Sequence, residues 1–266
     1  MTAPVRTWKR PPSLVRDPRW RRVLQVGIVL YLLLALGSVH VDWLRVWEGL
    51  ERGQRFFLGF LQPDFTSRWG DIQKGLVESL TMTVTATVAG IALSVPIGIG
   101  AARNLVGRPV YLACRFVIAV SRALQEIIVA IFMVAMFGFG PFAGFLTLVF
   151  GSIGFLSKLL ADDIEEIDEA QAEAIRATGA SWWQLVHYAV QPQVMPRLIG
   201  LSLYRLDINF RESAVIGIVG AGGIGATLNT AIDRYEYDSA GAILLLIIAI
   251  VLVAEYSSSY LRKFLQ

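Results

Sequence analysis

Residues 77–101 read VESLTMTVTATVAGIALSVPIGIGA. Thr81, Thr83, Thr85 and Thr87 alternate as they would along a β-strand. The apolar stretch is nevertheless too long for one strand, and a lone strand in lipid would leave its backbone unpaired. A helix satisfies every peptide group internally, and the threonine hydroxyls can bond back to preceding carbonyls. The stretch is therefore predicted to be a transmembrane helix, and the chain an all-α, polytopic bundle.

Composition points the same way. Of 266 residues, 55% are hydrophobic and 17% charged, with a mean hydropathy of +0.57. Soluble domains carry about 25% charged residues, because they must cover their surface with polar groups; a bilayer removes that demand. Cys114 is the only cysteine, so the chain forms no internal disulfide and no thiolate cluster. His40 and His187 are the only histidines, which supplies neither a metal site nor histidine acid–base chemistry. No catalytic residue and no metal ligand is assigned. A net charge of +3 is too small to suggest nucleic acid as a partner.

Residues 1–22 are basic, with Arg6, Lys9, Arg10, Arg16, Arg19, Arg21 and Arg22 opposed by Asp17 alone. An apolar run at 23–39 follows. A basic flank before a first span holds the N-terminus in the cytoplasm. The rival is a signal peptide cleaved near Ala35-Leu36-Gly37, for which the basic region is long. Residues 41–70 mix Trp43, Trp47, Phe56, Phe57, Phe60 and Phe65 with both charges, which suits an outer interfacial helix or an extracytoplasmic loop. Beyond 77–101, Arg103 and Arg108 mark a short basic loop. A third span, interrupted by Arg122 and Glu126, is expected at about 110–138, then a Gly138–Pro141 turn and a fourth span at about 141–160. A long polar segment covers 161–195. The fifth span begins near Pro196 and the last is about 240–260, closed by Arg262 and Lys263. The expected organisation is a cytoplasmic segment 1–22, a first span and outer segment 23–70, and a core 71–266 that contains the cytoplasmic loop 161–195. Six spans place both termini in the cytoplasm.

The loop is the most informative polar stretch. Residues 164–179 (IEEIDEAQAEAIRATG) are rich in Ala and Glu, and Gly179 is placed to end a short helix. Glu165, Glu169 and Glu173 stand four apart as an acidic stripe, with Ala170, Ala174 and Ala177 beside them; Trp182 and Trp183 add an apolar patch. Glu173-Ala174, Gly179 and Pro192 resemble the signature loop of ATP-binding-cassette importer permeases, although Ile175, Ala189 and Gln191 depart from its variable places. An ordinary amphipathic loop helix is the bland alternative. In the family this short helix docks on the ATPase subunit, so Glu169, Glu173, Ala174, Gly179 and Pro192 are the implied coupling residues.

Tyr204–Glu212 (YRLDINFRE) places Arg205, Asp207, Arg211 and Glu212 in or near the fifth span. Ionisable groups in lipid cost roughly 2.5–3.5 kcal/mol each on insertion scales, so they face partners or water-filled paths. Asp207 with Arg211, and Arg122 with Glu126, can pair four residues apart. Alternatively Arg122, Arg205, Arg211 and Glu212 line a passage for an anion, since guanidinium matches phosphate-like oxygens. The cluster Gly220, Gly222, Gly223 and Gly225 follows. Its G-x-G-x-x-G match lacks the strand–turn–helix setting of a dinucleotide site, and close packing at a gate fits it better. The run 211–225, with Gly138–Gly144, Ala177–Ala180 and Pro192–Pro196, resembles the phosphonate-type branch, which takes up phosphonate, phosphite or phosphate.

The resemblance covers about 75–265. It implies a homodimer in the bacterial cytoplasmic membrane, two ATPase subunits and an extracytoplasmic substrate-binding protein. No G-x-x-x-x-G-K-[ST] occurs, so the chain is not itself an ATPase of that kind and binds no cofactor; ATP and Mg belong to the partner. A permease for another solute such as methionine, an integral membrane enzyme, and a passive channel are the competing readings.

Overall fold

The computed structural model describes residues 17–38 and 42–265; most of the basic N-terminal segment and His40 lie outside the described residues. Among the described residues there are helices and no strands. The first compact unit, to Arg55, holds α1 (Pro18–Ser38) and most of α2 (Trp43–Phe60). Apolar side chains are exposed along α1, which suits a lipid neighbour. Asp42 opens α2 by accepting from the Leu44 and Arg45 amides, so the aromatic-rich segment is a helix.

The second unit begins at Phe56. Its helices are α3 (Trp69–Gly100), α4 (Arg108–Ala123), α5 (Glu126–Phe137), α6 (Pro141–Glu165), α7 (Glu169–Ala177), α8 (Trp182–Leu185), α9 (Gln191–Ile218), α10 (Gly223–Asp233) and α11 (Tyr237–Leu265). Five helical stretches in the described chain are long and apolar enough to cross a bilayer, and the pair α4–α5 would make a sixth.

The helical reading of 77–101 holds, and α3 extends it toward its N-terminus. Thr85 donates to the Thr81 carbonyl and Thr87 to that of Thr83, each at 2.7 Å. Small residues recur down one buried side of α3: Gly75, Ser79, Thr83, Thr87, Gly90, Ser94 and Gly98. Helices in lipid gain little from burying apolar surface, so close backbone approach and interhelical hydrogen bonds hold them together. Thus a Cβ on Gly98 would lie 2.8 Å from Leu160. Ser157 donates to the Ser94 carbonyl at 3.1 Å, joining α6 to α3.

Three expectations need correction. The third span is not one helix over 110–138: α4 and α5 meet at 94°, with Leu124 and Gln125 extended between them. Neither Gly nor Pro marks that break. The fifth span starts well before Pro196, because α8 continues through a π-helical turn (Val186–Val190) directly into α9. There the Gln191 amide reaches back to the Val186 carbonyl, next to the place where Pro192 removes a donor. Finally, the acidic stripe is shorter than expected. Glu165 ends α6, and the chain breaks before α7 starts at Glu169.

The two ends of the second unit are distinct. At one, the Arg103 amide and the Arg115 guanidinium both donate to Glu165, at 2.8 and 2.9 Å, and the Trp182 indole donates to the Leu105 carbonyl at 2.9 Å. At the other, the Gly140 amide donates to the Gly220 carbonyl at 3.0 Å.

Candidate functional site

Three sets of residues stand out, and α9 connects them. The first is the surface of α7. Asp168 caps it by accepting from the Ala170 amide at 3.0 Å, and Glu169 in its first turn and Arg176 in its last both complement the helix dipole. Gly179 follows with φ +78, a left-handed conformation that favours glycine. Glu169, Ala170, Glu173, Ala174 and Ala177 are all exposed. On the opposite side Ala172 is buried against Leu185 and Ala189. The Asp168 amide donates to Gln193 Oε1 at 2.9 Å, while Gln193 Nε2 donates to the Ala189 carbonyl at 2.8 Å. The short helix is thereby fastened to the base of α9. Pro192 is exposed in the first turn of α9.

The second set surrounds a cavity of about 540 Å³ bounded by α4, the first turn of α5, α6 and α9. Its polar lining is Ser121, Arg122, Gln125, Glu126, Arg205 and Glu212. Arg205 is 3% exposed. Its Nη2 donates to Glu126 Oε1 at 2.7 Å and its Nε to Ser152 Oγ at 3.0 Å, and its guanidinium sits 5.7 Å from the Phe155 ring centroid. Deeper in the bundle, Asn209 Nδ2 donates to Thr87 Oγ1 at 2.8 Å and to Ser152 Oγ at 3.2 Å. One polar node thus ties α3, α6 and α9 together. Glu212 lies beside Glu126, with Arg205 and Arg211 also near it. Gly151 leaves the room: a Cβ there would collide with Glu126 Oε1 and lie 2.7 Å from Arg205 Nη2.

The third set is the glycine turn between α9 and α10. Gly220, Gly222 and Gly223 have φ of +94, +76 and +73. A Cβ on Gly222 would fall 2.7 Å from the Pro141 nitrogen, and one on Gly225 would collide with the Ala214 carbonyl. Ser79 Oγ accepts from the Ile224 amide at 2.9 Å.

The profile of the family described as binding-protein-dependent transport system inner membrane component matches residues 94–266. The chain belongs to this family of permeases. It is 45% identical over 208 residues to the phosphate-import permease protein PhnE of Mycolicibacterium smegmatis, a match that covers 78% of this chain and 39% of that protein. With the phosphite transport system permease protein PtxC of Stutzerimonas stutzeri the identity is 37%, covering 92% of this chain and 90% of the relative. Among solved structures, an inward-facing form of the methionine transporter MetNI superposes with a TM-score of 0.66 at 22% identity, covering 76% of this chain and 99% of that one. That likeness concerns the fold alone.

The permease brings Glu169, Glu173, Ala174 and Gly179 together, and likewise Gly220, Gly222, Gly223 and Gly225. Arg122, Arg205 and Glu212 share the cavity, whereas Arg211 pairs with Asp207 and is not among the cavity residues. The Arg122–Glu126 pair does not form as a helical i, i+4 pair. The break at Leu124-Gln125 removes the continuous turn it needs, and Glu126 pairs with Arg205 instead. Nothing in the sequence marks Asn209, Ser152 or Gln193 as functional. Uncharged, they lacked the signal that drew attention to the arginines.

Proposed function

We propose that the chain is the membrane-spanning subunit of an ATP-driven importer of phosphorus oxyanions such as phosphate, phosphite or phosphonate. It works as a pair of copies in the bacterial cytoplasmic membrane with both termini in the cytoplasm. Two ATPase subunits use ATP and Mg, and an extracytoplasmic binding protein delivers the solute. The observation that carries this reading is the unbroken linkage from α7 to the cavity. An ATPase seated on Glu169, Ala170, Glu173 and Ala174 moves α7; the Ala172–Leu185–Ala189 contact and Gln193 pass the displacement to α9; and α9 carries Arg205, Asn209 and Glu212. Allosteric transitions of this kind are rigid-body movements of packed elements, for which a short capped helix is better suited than a loop.

The anion assignment is supported by the phosphate and phosphite transport for which the two relatives are named and by the cavity's chemistry. Arg122 and Arg205 border it, and the first turn of α5 borders it with no side-chain cap. Half-helix N-termini bordering a broken span favour anionic groups. The glycine turn, pressed against Phe139 and Pro141, forms the gate toward the binding protein.

The test is co-expression with the neighbouring ATPase and binding protein, reconstitution in proteoliposomes, and uptake of labelled phosphate, phosphite and methylphosphonate. ATP-dependent uptake of one of these supports the reading. A stable chain that captures no ATPase and moves none of them refutes it.

A further inference from the structure

Resting on that reading, we propose that Glu126 is an internal stand-in for the transported anion: its carboxylate occupies the Arg205 guanidinium until an incoming phosphorus oxyanion displaces it. Four observations converge on this exchange. Arg205 is 3% exposed, so its charge must be answered inside the protein, and Glu126 Oε1 answers it at 2.7 Å. Guanidinium binds carboxylate and phosphate through the same forked geometry, so either can take the position. The second carboxylate oxygen of Glu126 takes no hydrogen bond from a basic or amide donor, and its carboxyl lies within hydrogen-bond reach of that of Glu212, a group of the same charge type. Arg205 therefore grips only one oxygen of Glu126 rather than both. Glu126 is also the first residue of α5, directly after the extended Leu124-Gln125 link, so it can withdraw by a small swing of α5 without unwinding α6 or α9.

Space and charge fit the exchange. The cavity of about 540 Å³ adjoins this ion pair and is far larger than a tetrahedral oxyanion. Arg122 lines the same cavity and is exposed, ready to meet the charge that Arg205 alone does not balance. With the anion bound, Arg205 keeps a partner throughout. With the anion gone, Glu126 returns, and the passage is left without a strong anion trap. A solute that must be released benefits from such a competitor, since binding has to be favourable enough to enter and weak enough to leave.

The test uses the permease–ATPase complex in lipid nanodiscs, without the binding protein, and equilibrium binding of labelled inorganic phosphate. Glu126→Gln keeps the size and removes the competing charge, and phosphate binding is expected to tighten by about tenfold. Glu126→Asp, one methylene shorter, frees the guanidinium in the same direction and serves if the first variant does not assemble. Arg205→Gln should abolish the gain when combined with Glu126→Gln. Unchanged or weaker binding in an assembled Glu126 variant overturns the proposal, as does a gain that persists without Arg205. Failure of wild-type uptake in the proteoliposome assay would instead strike the importer reading itself.

Discussion

The side chain of Gln193 accepts a hydrogen bond from the backbone amide of Asp168 at 2.9 Å and donates to the Ala189 carbonyl at 2.8 Å. One amide thus joins the cap of α7 to the base of α9. Replacing it with Leu removes both bonds while leaving the exposed face of α7 intact. Coupling between hydrolysis and transport is then expected to weaken by about 1 kcal/mol, roughly fivefold. The measurement is anion uptake per ATP hydrolysed in the reconstituted complex. An unchanged ratio would rule out this connection as the transmitting contact.

Glu173 is exposed on α7, so Glu173→Lys should leave thermal stability within about 0.5 kcal/mol and act only on the partner. ATPase capture is expected to fall by roughly tenfold from charge reversal at the contact. Gly179→Pro should act with it, because proline cannot adopt the φ of +78 found there. Pull-down of the ATPase by otherwise stable variants is the check.

Gly225 packs so closely on α9 that a Cβ would overlap the Ala214 carbonyl. Gly225→Ala must therefore push α10 away from α9, at an expected cost of about 1–3 kcal/mol in overpacking. Thermal unfolding in detergent reads it directly. Gly200, with nothing near its added Cβ, is the control position whose Ala variant should not lose stability.

Asn209 is fully buried and bonds to side chains on both α3 and α6. Asn209→Ala should destabilise the bundle by about 1 kcal/mol, the usual scale for an interhelical hydrogen bond in a membrane protein. A double-mutant cycle with Thr87→Val should show a coupling of similar size, and additivity of the two changes would count against the node.

Much of this architecture is legible in the sequence because a bilayer forces long apolar helices. The threonines of α3 show it: their alternation imitates a strand, yet chain length and backbone satisfaction decide for a helix. Asp168 is a legible signal as well, since an N-cap aspartate just before Glu169 announces the start of α7 and separates Glu165 from the stripe. The α4–α5 break is marked only by Arg122 and Glu126, which interrupt the apolar run without announcing a turn. Leu124 and Gln125 are ordinary helix residues, and only the long-range pair between Glu126 and Arg205 accompanies the turn. Asn209 illustrates a different limit: its importance depends on Thr87 and Ser152 arriving from two other helices, which no local pattern records.

The bend between α4 and α5 also has an electrical consequence. At 12 residues, α5 spans about 18 Å, well short of a hydrocarbon layer of about 30 Å. The peptide groups exposed at the break require water or protein around them, because hydrocarbon satisfies neither amides nor carbonyls. Water at the break would thin the insulating layer beside the cavity relative to that beside α3. Each elementary charge crossing 100 mV exchanges about 2.3 kcal/mol with the field, and a water-lined break would let a passing anion make that exchange over a shorter path.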